Sequence, residues 1–103
     1  MSEMILMNSI KTALKNLGYA VFRANVGKVR LADGRFFDTG LPRGFSDLFA
    51  VKDGRICFIE VKVKPNKPTI EQIDFIEKMK LQGCTAGVVY SIQEAIDLCK
   101  GWR

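Results

Sequence analysis

Met7, Ile10, Leu14 and Leu17 recur at steps of three and four. An apolar stripe therefore runs along residues 2–17 and predicts an amphipathic helix. Gly18 follows where a glycine commonly closes such a helix. Val21, Phe22 and Val26 then give Tyr19 to Val29 the character of a strand. Two Asp-Gly pairs, Asp33-Gly34 and Asp53-Gly54, are hairpin turn signals. The first joins Val29–Leu31 to Arg35–Phe37; the second joins Ser46–Val51 to Arg55–Val63, the strongest strand pair in the chain. Lys64 to Pro68 is a basic, proline-containing loop, and Thr69 to Gln82 predicts a second helix ended by Gly83. Ala86 to Tyr90 reads as a short buried strand, and Ser91 opens a last helix with Glu94 three residues on as a capping box. The order is helix, four strands, helix, strand, helix, without repeats or low-complexity segments. It predicts an α/β chain in the broad sense, with an α+β mixed sheet flanked by helices.

The second Asp-Gly turn places chemistry. With Asp53 and Gly54 as its two central residues, Val51 faces Ile56, Phe49 faces Phe58, and Asp47 faces Glu60. Two carboxylates then meet across the strands with Cβ atoms about 5 Å apart. Strand alternation sets Lys62 on the same face as Glu60, in company with Phe49, Val51, Ile56 and Phe58. At that separation and an effective dielectric near 20, the repulsion is roughly 3 kcal/mol. A shared proton or a divalent cation would relieve it, and Mg²⁺ is commonly held by one or two carboxylates. Lys62 could then orient or deprotonate an attacking water. The alternative is an ordinary charge pair at a strand end, and a one-residue bulge would break the pairing. Glu3, on the stripe of the first helix, is either a first-turn partner of the helix dipole or a site residue. Gln72 either completes the capping box Thr69-x-x-Gln72 or faces the sheet beside Phe75, Ile76 and Met79.

Composition narrows the chemistry. The chain has 103 residues, enough for one domain over 1–103 with a core of its own. It contains no His, which excludes Ser-His triads, His-metal nucleases and zincins. Cys57, Cys84 and Cys99 have no zinc-ligand spacing and read as small core residues in a reducing compartment. Residues 1–10 lack the basic start and apolar run of a signal peptide, and no apolar run approaches 18 residues, so no membrane partner and a cytoplasmic location are expected. The formal charge of +5 is uneven. Residues 1–67 carry 12 Lys and Arg against 6 Asp and Glu, and residues 68–103 carry 4 against 5. A polyanion would therefore meet the first two-thirds of the chain.

Taken in order, Gly44-Phe45-Ser46-Asp47, Ile59-Glu60-Val61-Lys62 and Thr69-Ile70-Glu71-Gln72 resemble the PD-(D/E)xK nuclease superfamily. More narrowly, the chain resembles a stand-alone, phage-type virus-type replication-repair nuclease (VRR-NUC) domain. Glu3 on a helix ending Leu17-Gly18, the segment Arg23-Ala24-Asn25-Val26-Gly27 and the late Gly83 before Gly87–Tyr90 extend the likeness over nearly the whole chain. It implies a restriction-endonuclease-like core with an extra hairpin near residues 29–37. It implies that Asp47, Glu60 and the backbone carbonyl of Val61 hold Mg²⁺ or Mn²⁺, and leaves Glu3 open as a further ligand and accessory acid. Lys62 would position or activate the attacking water, and Gln72 would support the site. Ser46 stands where the superfamily name has proline, and the basic segment 28–41 has no counterpart in the shortest pattern.

The same resemblance implies a Mg²⁺-dependent, structure-selective DNA endonuclease of the Holliday-junction-resolving type, acting as a homodimer in the cytoplasm (the host's, if phage-encoded). Arg23, Asn25, Lys28, Arg30, Arg43, Lys64 and Lys67 are the candidate DNA contacts, each also readable as a solvated surface group. As a set they predict salt-dependent, sequence-independent binding. Other readings are the same chemistry on flaps, nicks or single strands, a non-catalytic DNA-binding module, and a structural protein with incidental charge.

Overall fold

The computed structural model describes residues 1–101; Trp102 and Arg103, at the end of the expected 1–103 domain, lie outside the described residues. The elements in chain order are α1 (Glu3–Asn16), β1 (Ala20–Arg23), β2 (Lys28–Arg30), β3 (Phe36–Asp38), β4 (Leu48–Lys52), β5 (Arg55–Val61), α2 (Ile70–Leu81), β6 (Thr85–Val89) and α3 (Ile92–Cys99). Four strands form one mixed sheet in the order β1-β4-β5-β6, and β2 and β3 form a separate two-stranded sheet. The β1–β4 and β4–β5 pairs are antiparallel, whereas β5 and β6 are parallel and joined through α2, as parallel neighbours require. The expected mixed sheet flanked by helices is the architecture found.

Strand alternation divides the core between the two faces of the sheet. Cys57, Ile59 and Val61 of β5 join Leu48, Ala50 and Val89 beneath α1 and α3, where Leu6, Met7, Ile10, Leu14 and Ala95 are buried. Phe58 of β5 faces α2 and is buried with Ile76 of α2 and Ala86 of β6, and Phe45, Phe49, Phe75 and Met79 pack around them. Ser2 caps α1 by accepting from the Ile5 amide, and Leu17 is the C-cap. Leu17, expected to close the buried stripe, is exposed because the helix has already ended.

The hairpins differ from expectation in instructive ways. Asp53 and Gly54 both have positive φ, +53° and +74°, the requirement of a type I′ turn. The register is the one expected, from Lys52↔Arg55 through Leu48↔Ile59. The Asp33-Gly34 turn is one residue longer. Leu31 N–H donates to Arg35 O at 2.7 Å, so Ala32, Asp33 and Gly34 all lie in the loop, with Gly34 left-handed at φ +90°. The strands consequently lie one residue outward, at Lys28–Arg30 and Phe36–Asp38. The single strand expected over Tyr19 to Val29 is two, because Gly27 at φ +78° turns the chain between them. At α3, Ser91 accepts from the Glu94 amide, but the Glu94 carboxylate takes the Tyr90 N–H at 2.8 Å. The expected box is thus displaced by one residue on its carboxylate side.

Candidate active site

Asp47 immediately precedes β4, and its backbone carbonyl accepts from the Ala24 N–H at 2.9 Å as β1 ends. Its Oδ2 accepts from the Val61 N–H at 2.9 Å. The acid is therefore held from both sides by main-chain bonds, which fix its direction without a flexible partner. One step along the register from Leu48↔Ile59, Asp47 stands opposite Glu60, close enough for its charge to act on the Glu60 carboxyl.

Glu60 is 1% exposed. Its Oε2 lies 3.7 Å from Lys62 Nζ, and its Oε1 is buried with no hydrogen-bond partner among the described residues. Burial first, and then the charge of Asp47, push the Glu60 carboxyl up to about 8, while Lys62 pulls the other way. A buried carboxyl with an unused oxygen beside a second acid is costly on its own. Lys62 is mostly buried, and its amide donates to Val89 O at 3.0 Å, which extends the β5–β6 pairing one residue past Val61.

This donor set suits a hard divalent cation. Among the described residues no group of three His, Cys, Asp or Glu gathers to hold a metal. Two carboxylates alone leave most of a cation's positions to water and phosphate, as Mg²⁺ prefers, and do not build a closed tetrahedral zinc site. When bound there, such a cation would supply charge neutralisation and Lewis acidity at a phosphate. Lys62 adds an ammonium on the same face as Glu60, within reach of a water or an anionic oxygen.

Glu3 and Gln72 each have a side-chain oxygen engaged outside this pair. Ser2 as N-cap puts Glu3 in the first turn of α1, and its Oε2 accepts from Asn66 Nδ2 at 3.2 Å. Among the described residues no third acid gathers with Asp47 and Glu60. Gln72 Oε1 accepts from the Thr69 N–H at 2.8 Å, and Thr69 Oγ1 accepts from the Gln72 N–H at 3.2 Å. Its amide oxygen thus serves the helix cap. Arg23, Asn25, Lys28, Arg30, Arg43, Lys64 and Lys67 are all exposed. Arg23 ends β1 opposite Leu48, Arg43 leads into Asp47, and Lys64 and Lys67 follow Lys62, so the basic set brackets the acids along the chain.

Three further features support the site, in ways the sequence did not specify. The Val61 N–H holds the Asp47 carboxylate. Phe45, Phe49, Phe58 and Phe75 form an edge-to-face and tilted cluster under the acid face, with ring centroids 4.6–6.5 Å apart. Gly44 has φ +89°, and a Cβ there would overlap the backbone carbonyl of Glu71 in α2. A bare glycine just ahead of Asp47 therefore lets α2 close on the sheet. Ser46, in the position of the named proline, is 1% exposed and satisfies its hydroxyl on Leu48 O at 3.0 Å.

No family model matches the sequence, and no curated protein matches it. Among solved structures, a chain described as a VRR_NUC domain superposes with a TM-score of 0.69 at 24% identity, over 98% of this chain and 97% of its own length. The chain has the fold of a VRR_NUC domain: a four-stranded mixed sheet between α2 on one side and α1 with α3 on the other. None of the helices among the described residues is long and apolar enough to cross a membrane.

Proposed function

We propose that this protein is a metal-dependent endonuclease that hydrolyses phosphodiester bonds in branched DNA. The observation that carries it is the buried Glu60, with an unpartnered carboxylate oxygen, opposite the half-buried Asp47 and beside Lys62 in a fold shared with a VRR_NUC domain. Asp47 and Glu60 would hold Mg²⁺ or Mn²⁺, with the Val61 carbonyl as the adjoining main-chain oxygen. Lys62 donates to and orients the attacking water, which places the nucleophile in line with the scissile bond. Main-chain bonds on Asp47 keep that geometry fixed before substrate arrives. The basic set from Arg23 to Lys67 grips phosphates, which accounts for affinity without base reading. Symmetric cutting of a four-way junction needs two such centres related by a twofold axis, and the protein acts as a homodimer in the cytoplasm on this reading.

The test is cleavage of labelled four-way junction and matched linear duplex by wild type and Asp47→Asn, with Mg²⁺ and with EDTA. The expected result is Mg²⁺-dependent cutting of the junction that Asp47→Asn abolishes. Equal cutting of flaps or linear DNA would keep the chemistry and remove the junction preference. No cutting of any substrate, with salt-sensitive binding intact, would establish a binding module instead.

A further inference from the structure

The chain leaves the main sheet at Ala24, whose N–H is bonded to Asp47 O, and returns to the sheet at Asp47 itself. Everything between is an excursion whose two feet meet at the acid. Its base is pinned by the Thr39 N–H on Gly27 O at 2.9 Å and the Gly27 N–H on Leu41 O at 3.4 Å. Above that base stands the β2–β3 hairpin, whose strands contact chiefly each other. From Gly27 to the tip at Asp33 it reaches roughly 20 Å at about 3.3 Å per residue, close to the width of a duplex.

The register places Arg30 opposite Phe36 on one face of this ribbon, and Arg35 with Phe37 on the other. Phe36 is 63% exposed and Phe37 58%, and Leu31 beside them is exposed as well. The Arg30 guanidinium lies 5.9 Å from the centre of the Phe36 ring. A hairpin built to lie on a protein surface is apolar on one face and polar on the other. Here each face carries an exposed aromatic ring, Phe36 with the Arg30 guanidinium over it on one and Phe37 on the other, where Arg35 is paired with Asp33 at 2.7 Å. That chemistry suits bases stacking on the rings on both sides, with Arg30, free of any carboxylate among the described residues, to meet a phosphate.

Resting on the nuclease reading, we propose that the β2–β3 hairpin is a wedge for branched DNA. Phe36 and Phe37 stack on bases left open at the branch point, Lys28 and Arg30 meet the flanking phosphates, and the wedge sets the distance from branch to the Asp47 centre.

The experiment compares wild type with the double variant Phe36→Ala/Phe37→Ala, whose side chains are exposed and outside the acid site. Binding of a four-way junction and of linear duplex is measured in EDTA, with 2-aminopurine at the branch point, followed by cleavage in Mg²⁺. The variant is expected to lose about tenfold in junction affinity and the fluorescence change, with duplex affinity unchanged. An unchanged melting temperature shows that folding is intact. If wild type cleaves and the variant keeps its junction preference, the wedge is overturned and the nuclease stands. If wild type prefers junctions through these rings but never cleaves, the wedge stands and the nuclease reading falls. If sedimentation shows that the double variant merely breaks a dimer, the hairpin is an interface between copies and the wedge is overturned.

Discussion

At the level of single residues, Glu60 joins stability to chemistry. Its carboxyl titrates near 4.5 when unfolded and is pushed up to about 8 when folded. The folded chain therefore binds the extra proton between those values, and metal-free stability falls as pH rises through that window, by a few kcal/mol in all. Glu60→Gln removes the charge and keeps the shape. Metal-free Glu60→Gln is expected to melt above wild type at pH 9 and with it at pH 5, while cleavage is lost. A wild-type melting temperature that does not fall between pH 5 and 9, after correction for a Glu60→Gln control, would contradict the buried acid. Mg²⁺ should raise the melting temperature of wild type at pH 8 and leave that of Glu60→Gln unmoved. Lys62→Ala is expected to slow cleavage by about 10²- to 10⁴-fold in single-turnover kinetics, with junction binding retained. Asp47, Glu60 and Lys62 were legible in the sequence because a clear turn and a period of two leave one register. Glu3 and Gln72 were not, because each has a local use that periodicity cannot weigh against a distant one: Gln72 takes the local bond at the cap, whereas Glu3 accepts from Asn66, in the loop beyond β5.

At the level of elements, the reading worked where two signals agreed. Thr69 and Gln72 form the full box that opens α2, and Asp53-Gly54 fixes β4 against β5. It slipped where one glycine decided matters. Gly27 splits an apparently continuous strand, and Gly34 lengthens the first turn, since the choice between a two- and a three-residue loop rests on backbone angles that the letters leave open. Gly44 is the sharper case: nothing in its neighbours announces that a helix 27 residues later will rest against it. Gly44→Ala is expected to destabilise the fold by about 2 kcal/mol or more in urea unfolding, through both the overlap with Glu71 and the left-handed φ. Gly34→Ala has the same sign of φ but open space, and should cost less.

For the molecule as a whole, the mixed sheet and its helices followed from element order. Six of the seven candidate DNA contacts are Lys or Arg, so the logarithm of binding affinity should fall with the logarithm of salt concentration at a slope of about −3 or steeper. Lys64→Ala and Lys67→Ala should each lower that slope by about one, equally for all sequences. A slope unaffected by either variant would remove that loop from the interface. The hydrogen bond from Ala24 to Asp47 has a further consequence. Residues 25–46 are spliced into the sheet at a single closed seam, so their length is uncoupled from the position of the acids. Lengthening such an insert costs only about 0.6 kcal/mol per doubling. Trading the segment 28–38 for a short glycine-serine bridge should leave the melting transition in place, and longer ribbons should move the cut site along the arm. Chemistry in this protein is anchored, and its ruler is exchangeable.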